Sequence, residues 1–157
     1  MIRYRTYFGM PEKESLRQIL SLYELIFEVP SDKVEERMKK VDGLITLCAF
    51  HEERVVGFKV GHEDTSEEFY SWIGGAHPFY RKRGIASKFM EMQHRILKER
   101  GYKAVFTKTK NKWRHMLLLN LRHGFDVIGT LYRFEGGAED NFKKVLLKEV
   151  KINTRMI

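Results

Sequence analysis

Residues 76–87, Ala-His-Pro-Phe-Tyr-Arg-Lys-Arg-Gly-Ile-Ala-Ser, decide how this chain is read. Before them lies an aromatic, strand-like run, Phe69-Tyr70-Ser71-Trp72-Ile73, and after them Ile85, Phe89, Met92 and Ile96 recur at helical spacing. A glycine preceded by three cations therefore sits where a helix begins. The first N–H groups of a helix have no partner within it and carry the positive end of its dipole, so the join suits a pair of linked phosphates. Gly84 leaves room for close approach, while Arg81, Lys82 and Arg83 add positive potential.

The charge pattern agrees. The net charge is +8, yet the window from Arg81 to His115 holds twelve cations against two acids, Glu91 and Glu99, for a local +10. An anionic partner belongs near this segment: a phosphorylated cofactor, nucleic acid or an acidic surface. Nucleic acid is the alternative we disfavour, because the cations straddle two helices and the strand between them rather than one recognition face. At 157 residues and 43% hydrophobic, the chain reads as one domain, 1–157, with a real core. No apolar run spans a bilayer and no signal-peptide pattern opens the chain, so the expectation is a cytoplasmic protein without a membrane partner. The single cysteine, Cys48, lies in an apolar run and reads as a small buried hydrophobe. The histidines show no metal-ligand spacing, so no metal site is expected.

Outward from the loop, the periodicities give β-α-α-β-β-β-α-β-α-β-β. Strands are expected over 2–8, 44–50, 55–61, 67–75, 103–109, 126–134 and 142–150. One helix, with Pro11 in its first turn, buries Leu16, Ile19, Leu20, Tyr23, Ile26 and Phe27, and Pro30 stops it. A shorter one, capped by Ser31 or Asp32, turns Val34, Met38 and Val41 inward. Helices from about Gly84 to Gly101 and over 111–123 complete the set. Gly74-Gly75 points to a bulge or a close backbone approach. Hairpins mixed with one β-α-β crossover imply an α/β (α+β) fold. Its central sheet is mixed and mostly antiparallel, about seven strands, with helices on both faces.

Along almost its full length this order resembles the GCN5-related N-acetyltransferase (GNAT) family. That family's Arg/Gln-x-x-Gly-x-Gly/Ala motif is matched by Arg81-Lys82-Arg83-Gly84-Ile85-Ala86, with Pro78-x-Tyr80 before it and Gly124-Phe125 after an amphipathic helix. The resemblance implies a GNAT-like acyl-CoA N-acyltransferase fold. It also implies acetyl-CoA as co-substrate, with an acetyl group passing to a primary amine of a small molecule or protein by direct attack in a ternary complex. It places backbone N–H groups from Arg81 to Ala86 on the pyrophosphate, with a hydroxyl from Ser87. The strand at 73–77 would splay from that at 103–109, and the pantetheine arm would pair with backbone near Gly74 and Ala76. His77, beside the loop, is a further candidate cofactor contact, or else a solvent-facing loop histidine.

The chemistry needs an amine freed of its proton, a polarised carbonyl and a stabilised thiolate. The family's usual base position falls on Tyr70 here, and Glu68 shares its strand face; Glu68 is the candidate base, against the reading of a solvated edge-strand acid. The family's acid, a tyrosine, is replaced by Asn120, which can donate a hydrogen bond but not a proton at neutral pH. Asn120 would orient the thioester or pantetheine, or steady the sulfur, or be a plain helix-face asparagine. Trp113 stands where the family often has a cofactor-binding asparagine, and Asn111 lies close enough to be included among the cofactor contacts. A protein that binds acetyl-CoA without turnover is the other alternative. The acceptor would meet the N-terminal helices, where both signs of charge mix and select nothing. A homodimer is open if the last strand lies at an edge.

Overall fold

The computed structural model describes residues 1–110, 113–133 and 142–149. Among these the elements are β1 (Ile2–Phe8), α1 (Lys13–Phe27), α2 (Asp32–Lys40), β2 (Ile45–His51), β3 (Arg54–Glu63), β4 (Glu68–Ala76), a 3₁₀ turn (Pro78–Tyr80), α3 (Ile85–Glu99), β5 (Ala104–Lys110), α4 (Arg114–Arg122), β6 (Asp126–Arg133) and β7 (Phe142–Glu149). The strands form one sheet in the order β1-β2-β3-β4-β5-β7-β6. Every pairing is antiparallel except β4 with β5, which are joined through α3 in the one crossover.

Two cores flank the sheet. Phe69, Ile85, Phe89, Met90, Leu97, Val105 and Phe125 bury the α3 side. Ile19, Leu22, Val34, Met38, Phe58 and Val60 bury the side covered by α1 and α2. The helices α1, α2 and α3 contribute the apolar stripes that a 3.6-residue period predicts, and the alternation of β3 and β4 supplies both faces. Phe58 and Phe69 are fully enclosed, so truncating either to alanine costs about 3–5 kcal/mol.

Four details differ from the sequence reading. Pro11 lies outside α1, which begins at Lys13 behind Glu12. The described part of the fourth helix starts at Arg114, and positions 111, 112, 134 and 150 of the expected elements lie outside the described residues. The bulge is not at the glycine pair but at Trp72, the residue skipped where Val60 pairs with Ile73 and Gly61 with Ser71. It re-aims the strand, so that Trp72 and Ile73 both pack on the α1–α2 side. Gly75 instead serves close approach: a Cβ there would lie 2.8 Å from Ile26 Cδ1, so the bare strand lets α1 settle onto it. Finally, β7 lies between β5 and β6, so β6 rather than the last strand forms that edge of the sheet.

Candidate active site

The phosphate-loop segment is built by backbone conformation. His77 closes β4, its N–H bonded to Val56 O at 2.8 Å, and its Nδ1 accepts the Phe79 N–H at 3.2 Å, capping the 3₁₀ turn. Tyr80 is fixed from below by a 2.6 Å hydrogen bond with His51 Nδ1 and from above by the Arg83 guanidinium, 4.8 Å from its ring centroid. The chain then alternates: Lys82 and Gly84 are left-handed (φ 62° and 78°) on either side of Arg83, and α3 begins at Ile85. Such alternation turns successive N–H groups toward one concavity, a nest for an anion. Among the described residues no side chain caps the helix, and a Cβ on Gly84 would meet nothing within 4 Å. The helix start is open to a ligand, and Arg81, Lys82 and Arg83 around it are exposed. Ser87, in the first turn, reaches His123 Nε2 at 3.5 Å, bridging α3 to the end of α4.

The loop continues a gap in the sheet. The β4 and β5 strands pair from Glu68–Ala104 to Ser71–Thr107 and then part. Thr107 Oγ1 donates to Ser71 O at 2.8 Å, pinning the last rung. Beyond it, 73–76 of β4 stays paired with β3, and 108–110 of β5 stays paired with β7. The facing edges of the two strands are therefore unpaired toward each other, with Gly74 and Ala76 on the β4 side. An extended, amide-bearing ligand finds free backbone donors and acceptors there.

On the α1–α2 side of the gap the side chains form a cationic, aromatic cluster. Tyr70 stacks on Phe106 across the β4–β5 pair (centroids 4.7 Å apart, planes 9° apart). Arg37, the half-buried cation of α2, lies 4.4 Å from the Trp72 centroid and 5.4 Å from that of Tyr70. Its Nη2 donates to His62 Nε2 at 2.9 Å, so that ring carries its proton on Nδ1, which bonds Glu63 O at 2.9 Å. Burial, with the Arg37 charge beside it, pulls the His62 pKa down and keeps the ring neutral. Lys108 Nζ completes the group, 5.5 Å from the Tyr70 centroid. Burial raises the Tyr70 pKa, so its phenol stays protonated.

The α3 side is different. Lys59 of β3, half-buried opposite Gly74, has its ammonium pushed down to about 8 by burial. Near it, His94 is pushed down to about 4, first by burial and then by the charges of Lys59 and His123. Gln93 is fully enclosed, and neither Nε2 nor Oε1 has a hydrogen-bond partner among the described residues. Asn120 is buried as well. Its Nδ2 donates to Thr109 Oγ1 at 3.3 Å, tying α4 to β5, and its carbonyl accepts the Phe125 N–H at 3.1 Å. Burial drives the Cys48 thiol up to about 12, which fits a small core residue rather than a nucleophile.

The sequence-predicted residues thus fall into three groups. Arg81, Lys82, Arg83, Gly84, Ile85, Ala86 and Ser87 come together at the helix start, Gly74 and Ala76 lie on the gap's β4 edge, and Tyr70 sits on the rung before the last. Glu68 opens β4 at its hairpin end, hydrogen-bonded through its backbone to Thr65 and Asp64, three residues or about 10 Å from the last rung. His77 spends its Nδ1 on the turn. Asn111 lies outside the described residues. Missed altogether were His62 and the pairing of Arg37 and Lys108 on one tyrosine. No motif marks them, since they come from four separate elements; only the alternation of Tyr70 and Trp72 hinted at a lined face.

The basic window also disperses. Arg100 lies over Phe8 (4.0 Å to the centroid), Lys103 pairs with Glu67 at 2.8 Å, and Lys108 faces Tyr70. Among the described residues no cluster of three or more His, Cys, Asp or Glu stands ready for a metal, and no helix is long and apolar enough to cross a membrane.

A nest at the start of a helix, fed by a gap between two parallel strands, is the arrangement of an acyl-CoA-type acyltransferase. The family comparison agrees: the family model described as "Acetyltransferase (GNAT) family" matches residues 13–125, and this chain belongs to that family. Among solved structures it is similar to the ribosomal-protein-S18-alanine N-acetyltransferase of Escherichia coli (TM-score 0.82, 10% identity, covering 100% of this chain and 99% of that one). It is also similar to Arabidopsis thaliana NAA60 in complex with a bisubstrate analogue (0.77, 17%, 94% and 97%). A GNAT family acetyltransferase from Elizabethkingia anophelis with acetyl-CoA bound gives 0.72 at 15% identity, covering 95% and 97%. No curated protein sequence matches. By class the chain is an acyltransferase.

Proposed function

We propose that this protein transfers an acetyl group from acetyl-CoA to a primary amine. The observation that carries the reading is the continuity of the unpaired β4–β5 edges with the left-handed nest ahead of α3. Backbone N–H groups of the nest and the first turn of α3 hold the pyrophosphate, the exposed cations steady it, and the free edge at Gly74 and Ala76 takes the amides of the arm. When bound, acetyl-CoA supplies a thioester with an acyl carbon for attack and a thiol to leave.

This chain's residues supply the rest. Glu68 takes the amine proton, through water given its distance from the last rung. Tyr70, protonated and half-buried, lines the path as donor or wall. Asn120 acts through Thr109, setting α4 against the gap, and is a positioning residue.

The first test is isothermal titration with acetyl-CoA, followed by thiol release over a panel of amines. Micromolar binding and turnover with at least one amine are expected; no binding at high micromolar cofactor removes the reading. Glu68→Gln should lower kcat at least tenfold while leaving acetyl-CoA affinity within twofold. An unchanged kcat would take the base role away from Glu68.

A further inference from the structure

The walls of the gap also bear on which amine is taken. On the α1–α2 side, two cations converge on one aromatic floor. Arg37 lies against the faces of Trp72 and Tyr70, and Lys108 approaches the same Tyr70 ring from β5. Among the described residues neither cation has a carboxylate within 4.0 Å. Of the acids of α2, Glu35 pairs with Lys39 at 3.3 Å and Glu36 with Lys40 at 2.7 Å. Glu63 is taken by the Tyr102 hydroxyl at 3.0 Å, in the core on the α3 side.

The guanidinium is pre-set for an anion. A guanidinium held over aromatic rings still has N–H groups to give in hydrogen bonds. One N–H of Arg37 goes to His62, which is locked as an acceptor by its own bond to Glu63 O. That bond fixes the rotation of the guanidinium and leaves its other donors for a forked contact with carboxylate or phosphate. Meanwhile the Tyr70–Phe106 stack sits one rung before the strands part. An anion held above that stack places an amine a few bonds away at the mouth of the gap.

We infer that the acceptor is an amine carrying its own carboxylate or phosphate group, seated by Arg37 and Lys108 over Tyr70, Trp72 and Phe106. This rests on the acetyl-transfer reading and adds the substrate class to it.

The test uses matched acceptors with the full-length protein and acetyl-CoA: amino acids against their amides, and phosphoethanolamine against ethanolamine. A free carboxylate raises the pKa of a neighbouring amine and leaves less of it reactive, so a preference for the acid cannot come from amine basicity. The acidic member of at least one pair is expected to have a kcat/KM tenfold or more above its neutral partner, expressed in KM. The two pairs separate carboxylate from phosphate recognition. Arg37→Gln should collapse that ratio to near one. Lys108→Gln, at an exposed position, should reduce it severalfold without a folding defect, so the inference stays testable if the Arg37 variant is unstable. Raising NaCl should shrink the ratio as well.

Equal use of both members, or a ratio untouched in Arg37→Gln and Lys108→Gln, overturns the inference, as does cofactor binding without turnover of any acidic amine. Parallel titration of wild type with acetyl-CoA separates the two failures. Absent cofactor binding sinks acetyl transfer itself, whereas intact binding with neutral amines preferred sinks only the substrate class.

Discussion

The loop ahead of α3 and the walls of the gap beside it use opposite means. The loop presents main-chain N–H groups through two left-handed residues, and its side chains lie exposed around the nest. The walls present side chains from α2, β3, β4, β5 and α3, several of them stripped of water. Recognition by backbone depends on φ and ψ and tolerates changes of side chain; recognition by buried side chains depends on every neighbour. The loop therefore suits a part of the ligand that never varies, and the walls suit the part that distinguishes one acceptor from another.

The largest effect should come from Gly84→Glu. A Cβ at this position meets no atom of the described residues within 4 Å, and the left-handed φ of 78° costs about 1–2 kcal/mol. The carboxylate, however, enters the anion site. Acetyl-CoA affinity should fall at least a hundredfold, about 3 kcal/mol, while the melting temperature drops by only a few degrees. Gly84→Ala, with the same strain and no charge, should lose far less. If alanine and glutamate weaken binding equally, backbone strain rather than charge controls the site, and the nest is not where phosphate sits.

Next come the buried groups on the α3 side of the gap. Lys59 has a folded-state pKa of about 8 against 10.5 in an unfolded chain, so the unfolded state binds its proton more tightly. Folding stability should climb as pH rises from about 8 to 10.5, with the full penalty present below 8. At 1.36 kcal/mol per pKa unit, Lys59→Met should add up to about 3 kcal/mol at pH 7 and flatten that alkaline limb. His94 acts in the acid range by the same sign. With a folded-state pKa of about 4 against 6.5, its neutral ring stabilises the fold above pH 6.5, and that contribution disappears as pH falls toward 4. Denaturant melts of His94→Leu should lack the loss of stability over that interval. A wild-type protein with the same pH slopes as its variants would mean that water reaches this side of the gap freely.

The contrast also explains what could be read from the sequence. The loop is contiguous: cations, glycine and an apolar helical stripe fall within a dozen positions, and their order alone dictates a strand, a turn and a helix start. Strand and helix periods likewise placed nearly every element, because each is set by residues two to four apart. The acceptor wall has no such locality. Arg37 and Lys108 are 71 positions apart in the chain and meet at Tyr70 only because α2 covers the sheet where β5 joins it. In the sequence Arg37 is one charge among many on a mixed helix; in the structure Glu35 and Glu36 are paired off with Lys39 and Lys40, and Arg37 is the cation turned inward. Asn120 was read from a motif position, but its partner Thr109 is fixed by how α4 packs on β5. The bulge, too, escaped: glycines suggest where a strand can be irregular, whereas the skipped residue is set by the register of β3 against β4.

The smallest predicted effect is the most discriminating for the loop. Lys82 is a left-handed non-glycine residue (φ 62°), exposed, on the turn that aims the nest. Replacing it by glycine relieves about 1 kcal/mol of left-handed strain but frees the unfolded chain by a similar amount, so stability should change by less than about 1 kcal/mol. The substitution also removes one positive charge from the rim. An exposed charge near a phosphate in physiological salt contributes about 0.2–1 kcal/mol, so acetyl-CoA affinity should fall no more than fivefold, and the deficit should vanish at high ionic strength. That near-silence is what main-chain recognition requires: the N–H groups keep their directions when the side chain is removed. A loss of fiftyfold or more in Lys82→Gly, persisting in salt, would show the ammonium itself gripping the ligand, and the loop would then recognise by side chain just as the walls of the gap do.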